Sequence, residues 1–440
     1  MFALPIIPIK PTIPINMNAD LTKEIVIPAP RSQVWVGVCV LLLLAYSTLT
    51  VFVREAWALE SFQIGVFALL GVCVLTGIRG REEIIARGWA PWLVYLIPFW
   101  GVFQLITHTT ASTFETREEV LKWGALAGVF FLVQAVGHTK EGRRVFLSGF
   151  LYFATAMAVL CLLQLPTANG RAFWVFPTGY PAVYATFAYR NNYAQFVEIA
   201  LPIALWRALR DPRQSWWFAL TGSILFASVI GSASRSGAAL CTVELLVILG
   251  IGIGRLRRGK TAVPLRSMIS GLVIIPVIAA IFTLAAGWQQ VWQRFERNEP
   301  FSARGYFLES AIDMTRDRPL TGFGLGTFPE VYQRYAVKDF PFYANHAHND
   351  WAEFAADGGI PFLLLILIPF VCVMPRAIRH PWGIGVIAVV LHACIDYPFP
   401  RPAVSGWMFA MAGLLYMTPE RRERDLTGAM SKGSRHIGSF

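Results

Sequence analysis

Two histidines and two side-chain amides crowd into Asn345-His346-Ala347-His348-Asn349-Asp350, just ahead of a hydrophobic run. Histidine exchanges a proton near neutral pH, so such a group at a membrane face suits proton transfer with a membrane-bound substrate. A general base must also lie within hydrogen-bond reach of the proton it takes. His348 is the candidate base, with capping of the following helix as its competing role. His346, two residues away, can support or replace it.

The elements that must carry this cluster are hydrophobic. The chain has 440 residues, of which 55% are hydrophobic and 15% charged, against about 25% charged in globular chains. The apolar residues fall in blocks near 34–53, 62–78, 91–107, 119–136, 145–164, 192–206, 216–231, 237–254, 267–286, 359–374, 381–396 and 403–417. Each approaches the length a bilayer-crossing helix needs, and helix is the form that satisfies its own backbone in lipid. The expected fold is therefore all-α, a polytopic membrane protein of about twelve spans.

The net charge of +11 is distributed by side. With the N-terminus inside, cytoplasmic segments carry clusters such as Lys140-Arg143-Arg144, Arg207-Arg210-Arg213 and Arg255-Arg257-Arg258-Lys260. Short outer loops hold mostly single basic residues, the alternation of the positive-inside rule. Both termini are then cytoplasmic, and the positive charge meets anionic lipid headgroups rather than nucleic acid. Residues 1–33 form a Pro-rich tail without the basic start and unbroken apolar core of a cleavable signal. A membrane domain spans 34–417, and 418–440 form a basic tail. The six cysteines lie within expected spans, with neither a disulfide framework nor zinc-ligand spacing.

Two outer connections are long, about 165–191 and 287–358, and long ordered loops usually carry function. In the second, Tyr306, Phe307, Ser310, Ala311 and Met314 recur at helical spacing across 303–317. Gly322, Gly324 and Gly326 then mark turns; a nucleotide-binding loop would need a preceding strand and a βαβ unit. A second helix is expected from Asn349 to Asp357, capped by Asn349 or His348 and ended by Gly358-Gly359. It would present the histidines at the membrane surface.

In this order of pieces the chain resembles the O-antigen ligase and polymerase-like family of bacterial membrane glycosyltransferases. Tyr189-Arg190-Asn191-Asn192-Tyr193-Ala194 resembles the motif that opens the sixth span, and Ser232-Ala233-Ser234-Arg235-Ser236-Gly237 the turn between spans seven and eight. Arg304, then Asp317-Arg318-Pro319-Leu320-Thr321-Gly322-Phe323-Gly324, resembles the start of the large periplasmic loop. His346 to Trp351 with Gly359 resembles the His-Asn motif, and His392 to Pro398 a late motif whose Asp closes the eleventh span. The match covers about 180–400. Phe362 stands where the family commonly has Gly, and Asn192 where a His-type residue is frequent.

The resemblance implies an inner-membrane enzyme with its site in the periplasm. It implies transfer of a glycan from a lipid-diphosphate donor, of the undecaprenyl type, to a hydroxyl on an acceptor such as lipid A-core. A diphosphate is already a good leaving group, so the enzyme's task is to stabilise the charge that grows on it. Arginine's planar fork, always charged, binds phosphate oxygens in pairs. Arg190, Arg235 and Arg304 are the candidates, with Arg304 and Arg235 assigned to catalysis and Arg190 to substrate binding. Asn191, Asn192, His346, Asn349 and Asp396 complete the expected substrate-binding set, while Arg316 and Arg318 read as structural. With no Asp-x-Asp in the chain, arginines replace the cation that paired carboxylates would hold, so no metal and no cofactor is expected.

Asn191, Gln195 and Glu198 share one helical stripe continuing inward from Arg190, and His392 and Asp396 share a face four residues apart. Intramembrane ionisable groups are costly, so these either line a donor cavity or join helices; Glu244 reads as structural. A glycan polymerase or protein O-oligosaccharyltransferase would use the same chemistry on another acceptor. A transporter or lipid flippase is the non-enzyme alternative, disfavoured because no repeat relates 34–206 to 216–417 and the polar groups gather at one face.

Overall fold

A computed structural model describes residues 31–76, 86, 88–258, 301–338, 340 and 343–418. The Pro-rich tail to residue 30, the expected ninth span at 267–286, residues 287–300 of the large loop and the tail from 419 lie outside them. The described chain is mostly helical, and six helices are long and apolar enough to cross a membrane. These are α2 (Trp57–Leu75), α4 (Thr113–Gly137), α5 (Lys140–Gln164), α7 (Ser215–Ser232), α8 (Arg235–Arg257) and α11 (Asp350–Arg379). Shorter apolar helices accompany them: α1 (Arg31–Leu49), α3 (Ala90–Ile106), α12 (Ile384–His392) and α13 (Pro402–Tyr416).

The expected sixth span forms α6 (Arg190–Ala208), but its composition is too polar to qualify as a span by hydropathy. Every residue from Asn191 to Trp206 is buried, with α5, α7, α8, α12 and α13 packed around it. A helix enclosed by other helices needs no lipid-facing apolar stripe, so it can carry Asn191, Asn192, Gln195 and Glu198. The eleventh span also differs from expectation. Its helix ends at His392, four residues before Asp396, and 393–401 turns back towards the start of α11. Among the described residues the exception to the all-α expectation is a hairpin in the first long connection, where Arg171–Ala172 pairs with Phe176–Pro177.

Aromatic rings lock the helices where lipid supplies no hydrophobic drive and packing must hold. Trp123 of α4 meets Phe354 and Phe362 of α11, Phe399, and Phe409 of α13. Phe362 is thus a core residue, 1% exposed. Trp407 of α13 stacks at 4.1 Å on Phe150 of α5 and donates its indole N–H to Thr48 at 3.0 Å.

The large loop builds a small core of its own. The helix α9 (Phe301–Asp317) buries Ala303, Phe307, Ser310, Ala311 and Met314, the spacing read from the sequence except that Tyr306 is half-buried. Phe323, the short helix α10 (Phe328–Val331) and Tyr332 close over it. The glycines between are turn residues: Gly322, Gly324 and Gly326 all have positive φ. They lie against α11, with Phe323 N donating to Ala356 O at 3.1 Å and Gly324 N to Asp357 O at 2.8 Å. Gln104 of α3 clamps the same junction, donating to Thr321 O at 2.6 Å and Asp357 O at 2.9 Å and accepting from Leu325 N at 3.1 Å.

The loop helix and the tenth span are two helical segments, as expected, that meet at a kink at Gly359, whose φ of 72° and ψ of 175° leave the helical region. That break frees Ile360 N to donate to Pro319 O at 2.8 Å. The kink ties the glycine turns to the segment that begins at the histidine cluster.

Candidate active site

The site is assembled where the start of α6, the start of α8, the start of α9, the approach to α11 and the turn after α12 converge. At α7's end Ala233 adopts a left-handed conformation with φ 54°, so the chain reverses within the turn Ser232 to Arg235. Ser234 then caps α8 by accepting from Gly237 N at 3.2 Å. Gly237 is required there, because a Cβ would sit 2.3 Å from the Ala194 Cβ of α6. The same Ser234 hydroxyl donates to Asn191 Oδ1 at 2.8 Å, and Asn191 Nδ2 donates to Asp396 Oδ2. Asn191 therefore links the Ser-Arg turn to the late Asp. Arg190 and Arg235, the first residues of α6 and α8, are both half-buried beside these contacts.

The approach to α11 is held by its own side chains. Asn349 is the N-cap: its Oδ1 accepts from Ala352 N at 3.1 Å while its Nδ2 donates to Cys394 O at 2.8 Å. Both ends of that amide are committed to structure. Asp350 N donates to Ala393 O at 3.0 Å, and Asp350 Oδ2 accepts from Phe399 N at 3.0 Å. Glu353, one turn into the helix, reaches back to accept from Ala347 N at 2.7 Å and to bond His346 Nδ1 at 2.9 Å. Between these anchors His348 has φ 53°, a left-handed backbone that costs an L-residue energy and occurs where surrounding contacts impose it.

Asp396 is the hub. Its carboxylate is buried, and its Oδ1 accepts from Tyr397 N at 3.0 Å. Arg304 Nη2 lies 3.4 Å from Oδ2, with Nη1 donating to Ile395 O at 2.9 Å. His348 Nδ1 lies 3.5 Å from Oδ1, an ion-pair separation without the alignment of a hydrogen bond. Burial pushes the Asp396 carboxyl up, but the His348 contact and the charges of Arg304 and His392 outweigh it and hold it below the ordinary value. The Arg304 and His348 side chains keep 26% and 20% of their surface exposed, so both face outward from a buried anion.

Aromatic rings frame the pair. Tyr397 stacks on His346 at 4.4 Å and meets His348 edge-on at 4.9 Å, while Phe307 stacks on His348 at 6.2 Å. Tyr189 packs on Tyr397 at 5.5 Å, and Asn192 Nδ2 donates to Tyr397 O at 3.1 Å and Gln195 Oε1 at 2.9 Å. Inward from the hub, His392 Nδ1 and Glu198 Oε1 bond at 2.8 Å with both residues fully buried. Gln195 Nε2, Glu198 Oε2, His392 Nε2 and both Glu244 oxygens have no hydrogen-bond partner among the described residues.

Of the residues picked from the sequence, Asn191, Arg304, His348 and Asp396 meet directly. Asn192 and His346 join them through Tyr397, and Asn349 through the 393–396 turn. Arg190 and Arg235 stand next in the chain to Asn191 and Ser234, which bond to the hub and to each other. At the far end of α9 Arg316 bonds Asp313, and Arg318 donates to Thr109 O of the connection between α3 and α4. Sequence reasoning misses Glu353, Tyr397, Tyr189 and Ser234. A signal exists for Glu353, an acid one helical turn past the cap, and for the two tyrosines, each flanking a chosen polar residue.

These features define a helical membrane protein with an Arg–Asp–His centre at one end of a buried polar helix. Residues 220–367 match the family model described as O-antigen ligase, and that match supports an O-antigen ligase-like family for the chain. The matched segment contains Arg235, Arg304, His346, His348 and Asn349, whereas Arg190 to Asn192 and Asp396 lie outside it. The family supports glycan transfer of the O-antigen ligase or polymerase type as the general activity. Comparison with curated proteins gives no match.

Proposed function

We propose that this protein transfers a glycan from a lipid-diphosphate donor to a hydroxyl of an acceptor at the outer face of the inner membrane, with lipid A-core as the leading acceptor. The observation that carries the reading is the Asp396 hub, which sets a histidine and an arginine side by side on one buried carboxylate. His348 removes the acceptor's hydroxyl proton as that oxygen attacks the anomeric carbon. The bond from that carbon to the diphosphate oxygen breaks, and the lipid diphosphate leaves with the electron pair. Displacement from the opposite face inverts the anomeric configuration.

Arg304 and Arg235 stabilise the charge on the departing diphosphate, and Arg190 with the α6 N-terminus binds its ground state. Arg304 suits the task because Ile395 O and Asp396 fix the orientation of its guanidinium before substrate arrives. With cationic side chains serving this role, transfer proceeds without a metal ion. The reading includes twelve spans, cytoplasmic termini and a periplasmic site, in keeping with the distribution of basic residues.

Purified protein in nanodiscs, given lipid-diphosphate glycan and lipid A-core, tests the reading by mass analysis of the product. His348→Ala and Arg304→Ala are each expected to lower kcat by at least about a hundred-fold, in the range general-base or oxyanion contacts supply. Wild-type rates in both variants would overturn the site assignment. Movement of labelled donor across the bilayer with its linkage intact would instead identify a flippase.

A further inference from the structure

Two histidine–carboxylate pairs flank the Tyr397 ring. One, His348–Asp396, shares its carboxylate with Arg304 and Asn191. In the other, His346–Glu353, the carboxylate also holds the loop backbone: Glu353 Oε1 bonds His346 Nδ1 at 2.9 Å and Oε2 accepts from Ala347 N at 2.7 Å. A carboxylate facing Nδ1 favours the neutral tautomer with its proton on Nδ1, and in that tautomer Nε2 is the acceptor. The same two bonds clamp the backbone on the N-terminal side of His348, which is held at φ 53°. On its C-terminal side Asn349 is fixed to Cys394 O and Ala352 N.

We propose that Glu353 is a positioning residue for glycan transfer: it fixes His346 in the tautomer whose Nε2 accepts a hydrogen bond from a hydroxyl of the acceptor. This rests on the glycan-transfer reading and divides the labour of the two histidines. His348 takes the proton of the reacting hydroxyl, and His346 holds the acceptor in register beside it. Stacking of the His346 ring on Tyr397 at 4.4 Å leaves the imidazole little freedom to present its other edge. Glu353 is buried, so the carboxylate acts through His346 and the loop rather than on substrate.

Glu353→Gln separates this role from a merely structural one. If the amide oxygen stays on Ala347 N–H, its NH2 faces His346 Nδ1 and drives the ring proton to Nε2. The acceptor KM is expected to rise about ten-fold, the worth of one hydrogen bond, with donor KM nearly unchanged; Glu353→Asp should recover part of the loss. In a His346→Ala background Glu353→Gln should add no further change in acceptor KM, because neighbours acting as a unit are not additive. Additive effects in that cycle would overturn the proposal.

A second measurement stands apart from activity. In 15N-histidine protein in nanodiscs, with His346→Gln assigning the signal, wild-type His346 should show its proton on Nδ1, moving to Nε2 in Glu353→Gln. An unmoved tautomer would refute the positioning role even if transfer falls. The expected tautomer switch in a protein that transfers no glycan would uphold the Glu353–His346 geometry while defeating the activity reading and the acceptor contact built on it.

Discussion

Asp396→Asn is the sharpest perturbation of the hub, since it changes charge and one donor–acceptor identity while keeping shape. Oδ2 accepts from Asn191 Nδ2 and faces Arg304 Nη2 at 3.4 Å; Oδ1 accepts from Tyr397 N at 3.0 Å and faces His348 at 3.5 Å. Whichever way the new amide turns, its NH2 points at a donor. Rotating Asn191 to offer its oxygen would break the bond from Ser234, so the mismatch cannot be passed along cheaply. An unpaired buried donor costs about 1–3 kcal/mol, and breaking a buried ion pair about 3–5 kcal/mol. Arg304 keeps 26% of its side chain in solvent and can recover hydration, which places the expected loss near about 3 kcal/mol.

The assay is thermal unfolding of detergent-purified protein across pH. At neutral pH the variant should melt about 5 °C below wild type, while Asp313→Asn, which breaks only the exposed Arg316 pair, should melt as wild type does. Acid supplies an internal check. The Asp396 carboxyl titrates below its ordinary value in the folded protein, so in that interval the unfolded chain binds more protons and stability rises with pH. Its contribution is fully present above the unfolded value of about 4 and is lost as pH falls through the folded value. The gap between wild type and variant should therefore narrow on acidification below about pH 4. A neutral-pH difference under about 1 °C, or a gap that widens in acid, would refute the role of Asp396 as the ionised hub.

Gly359→Ala should destabilise strongly, because φ is 72° and a Cβ would lie 2.6 Å from the Leu320 carbonyl carbon. Backbone strain alone is worth about 1–3 kcal/mol, and the obstructing atoms are themselves backbone, so no side chain can swing aside to relieve the clash. A lowered melting temperature checks it, and the control Gly250→Ala, with open space around it, should melt no lower than wild type. Gln104→Leu removes two donors and one acceptor from the junction of the glycine turns with α11, leaving Leu325 N and two carbonyls without their Gln104 partner. A loss of about 2–4 kcal/mol and faster proteolysis within 319–327 are expected, and unchanged cleavage would count against the clamp.

Legibility in the sequence follows the range of the interaction. The helix expected at 303–317 and found at Phe301–Asp317 rests on side chains a few positions apart, so spacing announces it, while of the two cap candidates the structure selects Asn349 over His348. The break at Gly358-Gly359 is visible as glycine, but its purpose is not: the kink lets Ile360 N reach Pro319 O, a contact between segments far apart in the chain. The polar stripe of the sixth span is visible in the sequence, but not what makes it tolerable, which is enclosure by the helices around it. Asp396 stands out by its place near an expected membrane face. Glu353 is marked only as an acid one helical turn past the cap, and which groups its carboxylate bends back to, His346 and Ala347, shows only in the fold.

The arrangement also explains why the polar helix and the loop need each other. The bond from Ser234 to Asn191 Oδ1 orients the amide whose Nδ2 donates to Asp396, and Ser234 is placed by the left-handed turn at Ala233 and the Gly237 contact with Ala194. Asp396 in turn is reached by Arg304 from α9 and His348 from the approach to α11, two segments that meet through Phe307. A charge placed on one member is thus felt by elements as much as 205 positions apart in the chain. Low dielectric around a buried carboxylate strengthens each of these contacts and penalises the loss of any one. Preorganisation of the arginine and the histidine is accordingly a property of the hub rather than of either side chain, and substitutions at Asn191 and Ser234 should loosen both together.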